Sequence, residues 1–302
     1  MGFVFLEPIE KAKGKAFARG KRRLLKKVTP GIQASLIKGM KSFKNKAQYT
    51  GLLEALEKGV TPNINKLAQW DKLTDEFKEL EDSAAKIIES SAIQSSKSVP
   101  IVLKPLFEFS PENPRIKKWI KKNTAKNVTA LSKESKKAIT SAIKEAVSQS
   151  LKRGLPPRKT AQIIKASGIG LNDRQQTAMI NFQFKLMDQG VTGVKLKAKV
   201  DREFNKKLKA RTLTIARTEG MEAVNQGNRE MWNQFADKGL VDLSKTKKKW
   251  HTAPQDNDDP CTDMDQKVIL ATEAWDTELG TFDSPPIHPN CNCSEEMIPA
   301  LT

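Results

Sequence analysis

Apolar and small residues recur at helical spacing over most of this chain. Leu73, Phe77, Leu80, Ala84, Ile87 and Ser91 alternate steps of four and three, so residues 66–97 are expected to form an amphipathic helix with a narrow buried stripe. Val128, Leu131, Ser135, Ala138, Ala142, Ala146 and Ser150 form a second stripe, widened by Ile139, Ile143, Val147 and Leu151. Gly154 and Pro156 end that helix. A short helix is expected over 158–166. Asn172, with Gln175 three residues on, resembles a capping box opening a helix that Gly190 closes. The longest predicted helix spans about 200–238 and lines up Ala216, Gly220, Ala223 and Gly227 on one stripe. Glycine inside a helix costs about 1 kcal/mol against alanine. Gly220 and Gly227 are therefore expected where a side chain would clash with a packed neighbour.

Punctuation divides the rest. Gly14, Gly20, Pro30, Gly31, Gly51, Gly59 and Pro62 interrupt residues 1–65, which read as a partly ordered basic arm with short helices. Pro100, Pro105, Pro111 and Pro114 mark a linker, so 66–114 is an amphipathic helix followed by a proline-rich crossing. A helical domain is expected over 115–239. After Gly239 the helical period fades, and Trp250, Val268, Ile269, Leu270 and Phe282 suit short strands. Residues 240–302 read as a small acidic module, α+β and loop-rich, that needs a staple. The expected fold is mainly α, with long helices in the N-terminal and central parts and this module at the end.

Charge sharpens the division. The net charge is +18. Residues 11–46 hold 13 Lys/Arg and no acid, and residues 115–165 hold 15 against two acids, whereas residues 256–302 hold 11 acids and one base. A basic body of this kind attracts a polyanion without regard to sequence. Double-stranded DNA is the expected partner, contacted by Lys21, Arg22, Arg23, Lys26, Lys27, Lys117, Lys118, Lys121 and Lys122. Aromatic residues are sparse, with one tyrosine, so stacking on single strands is not the expected mode. No apolar run is long enough for a membrane span, and the first residues lack the pattern of a secretory signal, so a reducing cytosol and no membrane partner are expected.

All three cysteines fall in the acidic module. Cys261, His288, Cys291 and Cys293 supply four soft or borderline donors, the set a tetrahedral zinc ion takes. The alternative is three plain thiols in a loop-rich segment. Asp256, Asp258, Asp259, Asp263 and Asp265 lack the glycine and distal glutamate of a calcium loop, and a solvated acidic loop is expected. Cys261 with a histidine lacks an orienting group and an oxyanion hole, no phosphate-binding or serine-elbow motif occurs, and no catalytic residue is assigned. Thr218, Glu222, Asn225 and Arg229 share a polar helical face; a solvated face is favoured over a polar network or a catalytic acid.

Three stretches carry a resemblance: Leu213–Glu219 (LTIARTE) with Glu222–Gly227 (EAVNQG); Lys249–Thr252 (KWHT) with Asp259–Cys261 (DPC); and Pro285–Cys293 (PPIHPNCNC). In this order and spacing the chain resembles the phage head morphogenesis family, the minor head proteins related to protein F of phage Mu, over roughly residues 115–300. It departs at Met264, where a second cysteine of a Cys-x2-Cys pair is usual, and at Asn292, where arginine is usual. The resemblance implies a non-enzymatic virion component at the portal vertex, acting in head assembly and in DNA packaging or ejection. It implies the portal protein as partner, with the major capsid or scaffolding protein as further candidates. Arg217, Thr218, Glu219, Asn225 and Trp250 would be structural residues of the motif. The runner-up readings are a toxin-like or nucleotide-modifying enzyme domain and a plain DNA-binding protein.

Overall fold

The computed structural model describes residues 11–46, 49, 51–68, 70–73, 75–106, 108–253 and 260–301. The chain is mainly helical. Its helices are α1 (Lys11–Lys46), α2 (Leu52–Glu57), α3 (Glu79–Ser95), α4 (Pro114–Lys152), α5 (Pro157–Ser167), α6 (Asp173–Asp188) and α7 (Gly193–Asp237). Five short strands follow: β1 (Lys247–His251), β2 (Val268–Leu270), β3 (Trp275–Thr277), β4 (Gly280–Phe282) and β5 (Ser294–Ile298). Asp256, Asp258 and Asp259 of the acidic cluster and the first ten residues of the basic arm lie outside the described residues.

Two compact units arise, each from separated stretches: Met1–Ile32, Glu81–Ile120 and Leu213–Thr302 in one, Gln33–Leu80 and Lys121–Thr212 in the other. Helices α1, α4 and α7 each supply residues to both.

In the second unit the predicted α4 stripe is inside: Val128, Leu131, Ser135, Ala138, Ala142, Ala146 and Ser150 are all buried, while Leu151 is 75% exposed. The capping box forms at the start of α6, with Gln175 N–H donating to Asn172 Oδ1 at 2.9 Å. Leu36, Met40 and Phe43 of α1, Met179, Ile180 and Phe184 of α6, and Val200, Phe204 and Leu208 of α7 are buried in the same unit. The predicted helix over 66–97 is shorter than expected. Ile64–Lys66, Trp70–Leu73 and Asp75–Phe77 instead wind as short 3-10 turns, the first opened by Asn63 capping Asn65 N–H, although Leu73 and Phe77 still reach the core.

The first unit holds the beginning of α1, most of α3, the end of α7 and the strands. The basic arm is not a run of short helices: α1 is continuous over 36 residues and contains Pro30. Its stripe Ala18, Leu25, Ile32, Leu36, Met40 and Phe43 is buried, and that burial outweighs one missing backbone hydrogen bond. Gly220 and Gly227 of α7 sit where predicted. A Cβ at Gly220 would lie 2.9 Å from Leu25 Cδ1, and one at Gly227 would lie 2.3 Å from the Ile88 carbonyl oxygen of α3. Helix α7 thus approaches the α3 backbone closely. At its end Met231, Trp232 and Phe235 join Ala92, Val99, Leu103, Val241 and Met297 in one core. Strand β1 is central in an antiparallel sheet of order β2-β1-β5, and β3 pairs with β4 as a hairpin.

Candidate metal centre

The site forms where two loops meet against α7. One follows β1 in sequence and includes Cys261, which directly precedes a 3-10 turn, Thr262–Met264. Thr252 Oγ1 donates to the Cys261 carbonyl at 2.8 Å. The other runs from β4 to β5 and contains a cis Pro285–Pro286 bond and Asn290 at φ 63°. This left-handed residue lets the chain reverse between His288 and Cys291, whose N–H donates to His288 O at 3.2 Å.

Helix α7 holds the second loop in place. Thr218 Oγ1 accepts from Asn290 N–H at 3.0 Å. The Asn225 amide donates to Pro285 O at 2.9 Å and to Cys293 O at 3.1 Å, and the Asn228 amide donates to Glu295 O at 3.0 Å. Of the polar face expected to be solvated, Thr218, Glu222 and Arg229 are half-buried and Asn225 is fully buried; Asn228, beside that face, is buried as well. Each amide satisfies backbone carbonyls that a loop buried against a helix would otherwise leave without partners. Trp250 is fully buried and meets Trp275 edge-on at 5.3 Å, in one cluster with the three cysteines, Met264 and Ile287.

Three donors converge. Cys261 Sγ lies 3.3 Å from His288 Nε2 and 3.6 Å from Cys291 Sγ, and the three ligand atoms lie within 4.8 Å of one another. Ligands around a tetrahedral zinc stand roughly 3.5–3.8 Å apart, given bonds of about 2.0–2.3 Å. His288 Nδ1 lies 2.9 Å from Pro289 O, a contact that fixes the Nδ1–H tautomer and leaves the Nε2 lone pair facing Cys261. Cys261, His288 and Cys291 could hold a metal ion.

Cys293 is buried in the same apolar cluster but is not one of the three donors that converge. Hydrogen bonds from Cys261 and Cys293 hold Cys291 down to about 3. Hydrogen bonding to Cys291, then to Cys293, pushes the Cys261 thiol up, reinforced by burial. Cys293 is pushed up to about 12: the bond to Cys261 favours its thiolate, but Cys291 and burial outweigh it.

Other residues singled out from the sequence are dispersed. Arg217 is exposed and Glu219 half-buried on α7. Arg23, Lys26, Lys27, Lys117, Lys118, Lys121 and Lys122 are exposed, and Arg22 is half-buried. Lys21 is not available to DNA. It is fully buried, donating to Ser91 O at 3.2 Å, to Ser91 Oγ at 2.7 Å and to Ser95 Oγ, because its position on α1 faces α3 rather than solvent.

Two features escaped the sequence. His251 Nε2 contacts Glu296 Oε2 at 2.7 Å, across neighbouring strands. Glu295 is fully buried; burial pushes its carboxyl up, against the opposing pull of Arg229 and Lys248. The alternation of β5 contained a signal, since Glu295 lies directly opposite Trp250. No protein-family model, characterised protein or solved structure matches the chain.

Proposed function

We propose that this chain is a minor head protein of a tailed phage, a structural component that joins the portal vertex and touches packaged DNA without sequence preference. One observation carries the reading: the three stretches behind the resemblance, far apart in sequence, meet at one place. Thr218 and Asn225 of the first hold the loop of the third, and Trp250 of the second lies in the cysteine cluster. Residues that specify a shared fold are expected to support one another in this way.

In this reading Cys261, His288, Cys291 and Cys293 hold one zinc ion. Bound zinc supplies folding free energy to a module with few aliphatic residues. The acidic module faces protein rather than DNA, which it would repel.

The test uses the full chain and portal rings of the phage that encodes it. The chain should cosediment with the rings and be present in purified heads. Elemental analysis of protein prepared without added metal should find about one zinc per chain, and a strong chelator should lower the melting temperature. A folded chain that neither binds portal nor enters heads overturns the assembly role. A metal-free preparation whose melting ignores chelator overturns the zinc.

A further inference from the structure

A second place in the same unit has no role in the metal centre. Helix α1 crosses the end of β1 so closely that a Cβ at Gly14 would lie 2.8 Å from the His251 ring, and the Phe17 ring centroid lies 6.1 Å from that of His251. Beside this contact opens a cavity of about 560 Å³, lined by Lys15, Arg19 and Arg22 on one side and by His251, Asp265 and Gln266 on the other. The three cations fall at steps of four and three along α1, so one face of the helix presents all of them.

Among the described residues no carboxylate forms an ion pair with Lys15, Arg19 or Arg22. Asp265, the acid in the lining, is engaged by the Thr252 N–H at 2.9 Å and by the Gln266 amide at 3.1 Å. Glu296 is engaged by His251. Among the described residues the lining therefore carries three positive charges against one negative, inside a concavity where field lines concentrate.

We infer that this cavity binds a nucleoside phosphate, with the phosphate against Lys15, Arg19 and Arg22. Arginine and lysine together suit a phosphate dianion, one by paired N–H donors and the other as a point charge. The volume lies within the range of small-molecule sites and far exceeds what a bare phosphate fills. The Gln266 amide and the His251 ring edge stand on the opposite wall, where a base can be held. The phosphate belongs either to a free nucleotide or to the end of a nucleic-acid strand. The inference stands on the cavity alone: portal binding can fail while nucleotide binding holds, and the reverse.

Calorimetric titration of the full chain with a nucleoside monophosphate tests it. Lys15 and Arg19 are exposed, so the Lys15→Glu/Arg19→Glu pair should fold, and its melting temperature checks that. The pair should weaken binding about tenfold or more, two charge-assisted contacts being lost. Lys86→Glu/Lys104→Glu, exposed and outside the cavity, makes the same change in net charge and should leave binding intact. Inorganic phosphate should bind more weakly than the nucleotide. A preference for a 5′-phosphorylated oligonucleotide over its 5′-hydroxyl counterpart assigns the site to strand ends; nucleotide binding without that preference assigns it to free nucleotides. The inference is overturned if no nucleotide binds, if both charge variants lose affinity equally, or if inorganic phosphate binds as well as the nucleotide.

Discussion

Lys21 shows how much one inward-facing charge can matter. Burial lowers its ammonium from 10.5 to about 7, although Glu295 pulls the other way. The folded state therefore releases this proton more readily than the unfolded chain. Below about pH 7 both states are protonated and the full cost of burying the charge is felt. Between about 7 and 10.5 the unfolded chain holds more protons, so stability rises with pH, by up to about 1.4 kcal/mol per unit. Lys21→Met removes the charge while Ser91 Oγ keeps its bond to Val224 O and Ser95 Oγ its bond to Ser91 O. Denaturant midpoints between pH 7 and 10 should rise less steeply in this variant than in the parent, and at pH 7 the variant should be the more stable. Equal slopes would mean that the amine is solvated.

Among elements, α7 is the one on which the first unit is built, and its glycines differ in what they meet. At Gly227 a methyl group would strike the Ile88 carbonyl of α3, backbone that cannot swing away. At Gly220 it would meet the tip of Leu25, a flexible side chain. Gly227→Ala should cost about 1–3 kcal/mol. Gly220→Ala should cost less, since the gain in helix propensity of about 1 kcal/mol offsets a small adjustment. Urea unfolding of both variants checks the order, and a reversed order would misplace the close contact. These glycines were legible because a glycine inside a strong helical pattern calls for a packing reason, and α4 and α6 were legible from an unbroken stripe and a capping box. Helix α1 was not, because Pro30 with Gly14, Gly20 and Gly31 read locally as breaks, while the stripe that overrides them becomes meaningful only once α3 and α7 cover it. The cysteine cluster was legible because the chain has so few soft donors. The His251–Glu296 pair was not, since strand register joins residues 45 apart.

Over the whole molecule, the uneven charge directs how it meets DNA. With Lys21 inside, the exposed bases of α1 reduce to residues such as Arg23, Lys26 and Lys27. Removing the arm is not a clean test, because residues 11–32 are part of a packed unit. Substituting those three by glutamine is. If each neutralises a phosphate, the slope of log affinity against log salt should flatten by about 2.7. A fluorescence-anisotropy titration on duplex DNA from 50 to 200 mM salt measures it, and an unchanged slope would place the contact elsewhere, on α4.

The first unit takes the start of α1 from residues 11–32, most of α3 from 81–95, and the end of α7 with the strands from 213 onward. A ribosome therefore finishes α1 long before the last of its partners, the end of α7 and the strands, exist. At roughly 5–20 residues per second the delay is of the order of 10–60 seconds. During that time Leu25 and Ile32 face water, and a long basic segment is exposed beside polyanionic RNA. The emerging chain thus needs shelter for this helix, and the step that completes the unit awaits release of the last strand, β5, rather than the appearance of any earlier one.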